Sequence, residues 1–217
     1  MNKINNCGSS DLSPVKHVGT ISSSCFYWLR QIRRIRQSLD AECAKTLVHA
    51  FITSRIDGCN TVLAGSPRTI TDRLQRLLNA AARVIRNTGK FDRGLTHLLH
   101  SELDVPQRIL HKLGVTVHRC LQGKAPQYLV NCWVAADCCH PTSDVASRQR
   151  LRSSSRHHLV VPRHRRSMLG RRAFSVAGPM AWNTLPDDLR YPSLSADNFR
   201  KKLKPHLFRN ALGHLAH

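Results

Sequence analysis

Residues 66–89, SPRTITDRLQRLLNAAARVIRNTG, constrain the fold more than any other stretch of this sequence. Their apolar members recur at intervals of three and four, which places them on one face of an α-helix. Ser66 and Pro67 are typical of a helix start, because a serine oxygen accepts from free N–H groups and a first-turn proline loses no hydrogen bond. Gly89 is typical of a helix end. The predicted inner face consists of Ile70, Leu74, Leu77, Leu78, Ala81, Val84 and Ile85.

The outer face of this predicted helix is basic, since Arg76, Arg83 and Arg86 lie opposite the apolar residues. On an isolated helix such arginines usually serve only to hydrate the surface. The composition of the chain changes that interpretation, because 34 Lys and Arg stand against 13 Asp and Glu, for a net charge of +21. A chain so basic repels itself unless an anion neutralises it. Nucleic acid is the first candidate partner, and an anionic membrane surface is the second.

Positive charge is densest from residue 145 to residue 186, where the sequence contains no Asp or Glu. The Ser- and Arg-rich start of this stretch lacks periodicity, which is typical of a linker. Arginines that neutralise phosphates release counterions, so they predict binding that weakens steeply with salt and ignores base sequence. A nuclear-localisation tract or a solvated tail is the alternative. The nine arginines of this tract are Arg148, Arg150, Arg152, Arg156, Arg163, Arg165, Arg166, Arg171 and Arg172.

The apolar spacings elsewhere predict a mostly α-helical protein. We expect a disordered segment over 1–20, a helical bundle over 21–135, a basic linker over 136–168 and a small helical tail over 169–217. Gly114 should weaken one helix of the bundle by about 1 kcal/mol relative to Ala.

The linker and the tail carry three local signals. The sequence LVVP, 159–162, is expected to form a short strand or an extended arm. Gly178 and Pro179 are expected to interrupt the helical order of the tail. Ser195 is expected to cap the last helix, with Phe199, Leu203, Leu207 and Phe208 on its inner face.

The first helix of the bundle is predicted to start at residues 22–24 and to present Arg30 and Arg34 on its outer side. Asp40 is expected to cap a second helix over 41–56, with Ile52 and Ile56 on its apolar side. The predicted inner stripe of the first helix contains Cys25, Trp28, Leu29, Ile32, Ile35 and Leu39. The aromatic residues 26–28 lie close to these arginines. Aromatic rings beside basic groups can stack on nucleic-acid bases. Packing in the core is the interpretation that the sequence favours for these three residues.

Eight cysteines and the apolar runs bear on location. A disulfide framework is unexpected in a chain of 217 residues in which no signal peptide is recognised. We therefore expect free thiols, a reducing compartment, and a nuclear or cytoplasmic location. No apolar run approaches the roughly 20 residues of a membrane span, so we expect no membrane partner.

Two clusters invite a metal interpretation. Asp187 and Asp188 form a pair of carboxylates, but they follow Leu185 and Pro186 in a predicted turn, which favours a capping or loop role. Residues 132–140 contain three cysteines and a histidine, yet they lack the second closely spaced pair of a structural zinc site. No nucleophile elbow or phosphate-binding glycine loop is found. The sequence predicts no metal site, no cofactor and no catalytic residue.

Seven motifs, in order, resemble the C-terminal part of the reverse transcriptase of LINE-type (non-LTR) retrotransposons, of the jockey-like and chicken-repeat-like kind. The resemblance covers residues 20–209, nearly the whole chain, and each motif alone is weak. The matching segments read CFYWLRQIRRIRQSL, KTLVHAFITSRIDGCNTVLAG, LQRLLNAAARVI, GKAPQYL, LRSSS with VVPR, GRRAFSVAGPMAWNTLP and FRKKLKPHLF.

In that family this region is the thumb, a helical bundle that holds the template–primer duplex, together with a C-terminal extension. The parent enzyme copies RNA through palm carboxylates that hold two Mg²⁺ ions. Neither the palm carboxylates nor the upstream endonuclease is recognised in these 217 residues. The resemblance therefore implies a non-catalytic chain that binds RNA or RNA–DNA duplex, with Mg²⁺ needed only by the parent enzyme.

The sequence departs from the family pattern at several positions. Gly58 stands where the family usually has Tyr, and Leu78 stands where it has Gln. LHSELDVP lacks a usual Trp, and Gly114 is expected to break a helix. These changes favour a decaying copy under little constraint.

Three functional hypotheses remain open from the sequence. The first is nucleic-acid binding without sequence preference, through the arginines named above. The second is that the chain is the end of an active reverse transcriptase, which an in-frame palm in the DNA upstream of Met1 would show. The third is a structural RNA-binding protein of ribosomal type, which would sediment with ribosomes. A thumb without its palm would also expose apolar surface and self-associate.

Overall fold

The computed structural model describes residues 14–58, 60–89, 103–135, 157–163, 170–191 and 193–213. The described chain is mostly helical and contains no strand, which confirms the predicted fold class. Its α-helices are α1 (Pro14–Ile35), α2 (Ala41–Val48), α3 (Ser54–Gly58), α4 (Arg68–Arg86), α5 (Val105–Leu121), α6 (Gln127–Ala135), α7 (Phe174–Asn183) and α8 (Ala196–Gly213). Among the described residues, none of these helices is both long enough and apolar enough to cross a membrane.

Two compact units divide the chain. Unit 1 comprises Met1–Cys59 and Ser66–Val105, and its described helices are α1 to α4. Unit 2 comprises Asn60–Gly65 and Pro106–His217, and it contains α6, α7, α8 and nearly all of α5. This division falls between residues 105 and 106 and does not coincide with the sequence-based boundary at residue 135. The reason is that α5 packs with the C-terminal helices.

Helix α1 begins at Pro14, so the prediction of disorder through residue 20 is wrong for residues 14–20. Pro14 suits a first helical turn, where its missing N–H has no partner to lose. The buried stripe starts with Pro14 and Val18 and continues with Ser22, a small polar residue that hides the apolar period in the sequence. The stripe then follows the prediction through Cys25, Leu29 and Ile32, but Ile35, which was expected on it, is 49% exposed.

Helices α2 and α3 are joined by a π-helical turn, His49–Thr53. The predicted cap at Asp40 is confirmed, since its carboxylate accepts from the backbone N–H of Cys43 at 2.6 Å. Ile52 and Ile56 are fully buried on the predicted face. The prediction of one helix through this segment is therefore confirmed, apart from the wider turn.

Helix α4 has the predicted buried face, with Ile70, Leu74, Leu77, Ala81 and Val84 in the core and two further members half-buried. Its termini differ from the prediction.

The prediction that Ser66 caps α4 is wrong, because the helix starts one residue later than predicted. Pro67 occupies the cap position, and no side chain forms a capping hydrogen bond there. The helix also ends before Gly89. Asn87 adopts the left-handed conformation (φ 55°), and the backbone N–H of Thr88 donates to the carbonyl of Arg83. Asparagine tolerates this conformation because its short polar side chain can bond locally, so it supplies the stop expected from glycine.

The close approach of α5 and α8 explains Gly114. The helix runs unbroken through this residue, and a Cβ added there would lie 3.3 Å from Cδ2 of the buried Leu203. The expectation that Gly114 breaks a helix is therefore wrong. The absence of a side chain allows α8 to approach, which is a packing role rather than a sign of decay.

Helix α7 also contradicts its prediction, since it continues through Gly178 and Pro179. A residue before proline normally avoids the helical region because its Cβ and N–H meet the proline ring. Gly178 has no Cβ, which relieves part of this clash. A Cβ at Gly178 would also lie 3.0 Å from both Trp133 and Val117, so this position lets α7 pack against α5 and α6.

An extended segment, residues 157–163, docks on α7. The Asn183 side chain accepts from the N–H of Leu159 at 2.8 Å and donates to its carbonyl at 2.9 Å. The Trp182 indole donates to the carbonyl of His157 at 3.1 Å. Leu159 is buried, so this part of the predicted linker belongs to the core of unit 2. The extended alternative for LVVP is the one that forms.

Helix α8 starts as predicted. The hydroxyl of Ser195 accepts from the backbone N–H of Asn198 at 3.3 Å, and Phe199, Leu203 and Leu207 are buried. The helix continues past Pro205 to Gly213.

Candidate nucleic-acid interface

The outer face of α1 carries Arg30 and Arg34, both exposed. Helical geometry places Lys16 and Tyr27 on the same face, opposite the buried stripe. Helix α1 contains no Asp or Glu anywhere along its length. Within the described residues, neither arginine is in an ion pair, and Arg34 donates only a long hydrogen bond of 3.5 Å to Gln31. Both predicted site residues are therefore free to contact an anion.

The aromatic residues beside these arginines are not all in the core. Phe26 and Tyr27 are 45% and 54% exposed, so the sequence-based preference for core packing is wrong for these two. Trp28 is half-buried and stacks on Phe51, with ring centroids 4.4 Å apart. The period of α1 explains the difference, because positions 26 and 27 point away from the stripe that contains Cys25 and Leu29.

Helix α4 presents its predicted arginines differently from one another. Arg76 and Arg86 are exposed, whereas Arg83 is half-buried and its buried Nε has no hydrogen-bond partner in the described part of the chain. Arg76 donates a long bond of 3.4 Å to the carbonyl of Asp72 in its own helix. Arg86 is therefore the member of this set most accessible to a ligand.

Arg36, which the sequence did not single out, joins the C-terminal ends of α1 and α4. Its Nε donates to the carbonyl of Val84 at 2.8 Å and its Nη2 to that of Ile85 at 2.6 Å. Its Nη1 donates to the carbonyl of Leu39 at 2.7 Å. These bonds place Arg34 and Arg86 at the same end of unit 1. No local signal separates Arg36 from its basic neighbours, since its two partners on α4 lie 48 and 49 residues away.

The arginines at the C-terminal ends of α1 and α4 interact favourably with the helix dipoles even without a ligand. The C-terminal end of a helix carries partial negative charge from its unpaired carbonyls, and basic side chains there stabilise it. Arg33 and Arg34 lie in the last turn of α1, and Arg83 and Arg86 lie in the last turn of α4. Part of this positive charge therefore has a structural role, and what projects into solvent is available to an anion.

In unit 2 the structure describes three of the predicted arginines. Arg163 is exposed in the extended segment that docks on α7. Arg171 is exposed and Arg172 is half-buried in a short 3₁₀ helix, Gly170–Arg172. The other members of the predicted tract lie outside the described residues: Arg148, Arg150, Arg152, Arg156, Arg165 and Arg166.

Unit 2 also has a basic groove that the sequence analysis missed. It has a volume of about 680 Å³ and lies between α8 and the turn that precedes it. The KKLK run was a visible signal of a basic helix, but the approach of the turn was not. The charged and imidazole groups that line the groove are Asp188, Lys201, Lys202, His206 and Arg209.

The structure describes one of the two clusters that invite a metal interpretation and only part of the other. Asp187 and Asp188 lie in a turn, as predicted, and the Asp187 carboxylate forms an ion pair with Arg190. The side chain of Cys132 and the whole of Cys138, Cys139 and His140 lie outside the described residues. The described residues contain no group of three or more His, Cys, Asp or Glu side chains that could hold a metal ion.

Together the fold and these surfaces define an all-α protein in two units, with solvent-facing arginines on α1 and α4. Comparisons with protein-family models, with curated proteins and with solved structures found no match to this chain.

Proposed function

We propose that this chain binds RNA or RNA–DNA duplex without sequence preference, as a non-catalytic part of the LINE-type reverse-transcriptase kind that it resembles. The observation that carries the proposal is the joined C-terminal ends of α1 and α4, where exposed Arg34 and Arg86 have no acidic partner among the described residues. Arg30 extends the same surface along α1. The resemblance adds that a thumb of this kind lies against a nucleic-acid duplex.

Arginine density favours a phosphate partner over other anions. The planar guanidinium matches two phosphate oxygens at once, which an ammonium group cannot do. The chain has 25 arginines and only 9 lysines, and nine of those arginines lie in the acid-free stretch between residues 145 and 186. Contacts to the phosphate backbone carry no base information, so the proposal includes no sequence preference.

The proposal gives these 217 residues a binding role and no chemistry. A primer-extension assay with Mg²⁺, nucleotides and a primed RNA template is expected to yield no product from the purified chain. A nuclear or cytoplasmic location and self-association through exposed apolar side chains such as Ile35 belong to the same proposal.

The test is the salt dependence of binding. A labelled RNA–DNA hybrid is titrated with the chain at several NaCl concentrations, and the logarithm of the binding constant should fall linearly with the logarithm of salt. Arg34→Gln should reduce the magnitude of that slope by about 1, because one phosphate contact is lost. Lys45→Gln is the matched control, since it removes one positive charge that is already paired with Glu42 at 3.7 Å.

Hybrids of scrambled sequence should bind equally well. Binding that is insensitive to salt would refute the proposal, as would an Arg34→Gln slope equal to that of Lys45→Gln.

A further inference from the structure

We propose that the outer face of α1 binds unpaired nucleotides, with the ring of Tyr27 stacked on a base and basic side chains on either side contacting phosphates. This inference rests on the proposed function and deepens it by naming the form of nucleic acid. It predicts that RNA with unpaired bases is preferred to a fully paired duplex at this surface.

The helical spacing of α1 places Tyr27 in line with basic side chains. Arg30 and Arg34 follow Tyr27 by three and seven residues, and Lys16 precedes it by eleven, so all four lie on one face. At 1.5 Å per residue, Tyr27 to Arg34 spans about 10 Å along the helix axis, and Lys16 to Arg34 spans about 27 Å. The ring therefore lies between cationic groups along a line that a strand can follow.

The ring of Tyr27 is exposed and is in contact with a second aromatic residue. The residue is 54% exposed and its ring meets Trp28 at 5.5 Å in an edge-to-face contact. Trp28 is held in turn by stacking on Phe51, which lies in the π-helical turn of unit 1. Wider turns of this kind occur often at functional sites. The contact with Trp28 thus restrains the ring of Tyr27, which remains more than half exposed to solvent.

The chemistry of the ligand decides in favour of a single strand. Inside a duplex the faces of the bases are covered by their neighbours, so along the length of a strand a protein ring stacks on bases that are unpaired. Charge alone would bind any polyanion, paired or unpaired. An exposed tyrosine between basic groups adds stabilisation only when a free base is present. No acidic side chain on α1 repels the strand.

The experiment uses the full chain and two labelled RNAs of the same sequence, one single-stranded and one a blunt duplex, at one NaCl concentration. Tyr27→Ala should weaken binding of the single strand by about tenfold and leave duplex binding unchanged. Tyr27→Phe should bind like the unmodified chain, because the ring remains. Tyr27→Leu should bind like Tyr27→Ala, because it keeps apolar bulk without a ring.

Tyr128→Ala is the matched control, since Tyr128 is 67% exposed on α6, a helix without Lys or Arg. It should leave the binding of both RNAs unchanged. Circular dichroism and urea midpoints establish that each variant is folded, and the Tyr27→Leu and Tyr27→Phe pair decides the question if Tyr27→Ala is not.

Several outcomes would overturn the inference. Equal losses for single strand and duplex, no loss for either, or an equal effect of Tyr128→Ala would each contradict it. So would binding of poly-glutamate with the same dependence on Tyr27, since an acidic peptide would then be the partner. If both RNAs bind with a steep salt dependence but Tyr27 is irrelevant, only this inference fails. If neither RNA binds, the proposed function fails with it.

Discussion

In the described part of the chain, Arg36 and Arg190 donate to carbonyls at the C-terminal ends of helices instead of facing solvent. Arg36 does so for α4 through Val84 and Ile85. Arg190, only 4% exposed, does so for α7 by donating from Nη1 to the carbonyl of Asn183 at 3.0 Å, while its Nη2 binds Asp187. Because unpaired carbonyls at a helix end attract cations, these residues stabilise the fold and are unavailable to a ligand.

The replacement Arg36→Ala should lower the free energy of unfolding by about 2 kcal/mol, because three carbonyls lose a charged donor. The free energy of unfolding of Arg36→Lys should lie between those of the unmodified chain and Arg36→Ala, because a single ammonium group cannot reach all three acceptors. Arg34→Ala is the control, and as an exposed residue it should change stability by less than about 0.5 kcal/mol. Urea unfolding measures all four chains, and equal midpoints for Arg36→Ala and Arg34→Ala would contradict the assignment.

His118 is a buried histidine of unit 2. Its ring stacks on Phe199 with centroids 4.3 Å apart, and its Nε2 lies 3.0 Å from the carbonyl of Leu194. A carbonyl only accepts, so Nε2 carries the proton of the neutral ring. Burial lowers the pKa of His118 below its ordinary value of 6.5, although the bond to Leu194 opposes this shift.

This lowered pKa predicts how stability depends on pH. As pH falls below 6.5, the unfolded chain binds a proton at His118 before the folded chain does, so stability decreases until the folded pKa is reached. Urea midpoints should therefore fall between about pH 7.5 and pH 5.5. Because the chain contains twelve other histidines, His118→Gln is the reference, and it should show a shallower decrease. A decrease that is unchanged in His118→Gln would show that His118 is not responsible.

Two glycines that were expected to interrupt helices lie where helices cross, and they allow the close approach of those helices. Gly114 lies where α8 crosses α5, and Gly178 lies where α7 meets α5 and α6. By propensity each glycine costs its helix about 1 kcal/mol. Packing overrides that cost, because large buried side chains such as Leu203 and Trp133 occupy the space that a Cβ would need.

Two glycine replacements should therefore have opposite effects. Gly178→Ala should destabilise the chain by about 2 kcal/mol, since the new Cβ would meet Trp133 and Val117 at 3.0 Å and would also clash with the ring of Pro179. Gly19→Ala in α1 should stabilise it by up to about 1 kcal/mol, because a Cβ there meets nothing within 4 Å. Thermal unfolding of both variants tests the pair. Stabilisation by Gly178→Ala would mean that the crossing can widen.

At the scale of the whole molecule the dominant property is charge. With a net charge of +21, the folded chain repels itself, and salt screens this repulsion over distances beyond about 10 Å at 0.1 M. Salt also screens attraction to a polyanion. Stability and nucleic-acid affinity should therefore respond to salt in opposite directions.

Raising NaCl from about 0.05 M to 0.3 M should increase the unfolding temperature by about 2–4 °C, which corresponds to roughly 1 kcal/mol for a chain of this size. The same ionic strength from another monovalent chloride should produce the same increase, because screening does not depend on the identity of the cation. An unfolding temperature that falls with NaCl would indicate that attractive ion pairs dominate instead.

The predictions from sequence succeeded where a single helix contains the whole signal. The buried faces of α4 and α8 and the caps at Asp40 and Ser195 follow from residues within four positions of one another. They failed at the start of α1, where serine lies on the buried face, and at Ser66, where the backbone begins its helix one residue later. Neither a buried serine such as Ser22 nor a serine that fails to cap, such as Ser66, can be recognised from the residues next to it.

The sequence alone predicts that the chain is α-helical, which sides of α4 and α8 are buried, and that the excess charge is positive. Those properties depend on a period of 3.6 residues and on composition, and both are visible in a line of letters. The tertiary structure alone decided which arginines cap helices and which face solvent. It also decided that Gly178 is a contact point and that residues 157–163 dock on α7. The reason is that these features join residues 7 to 61 positions apart, and only folding brings them together.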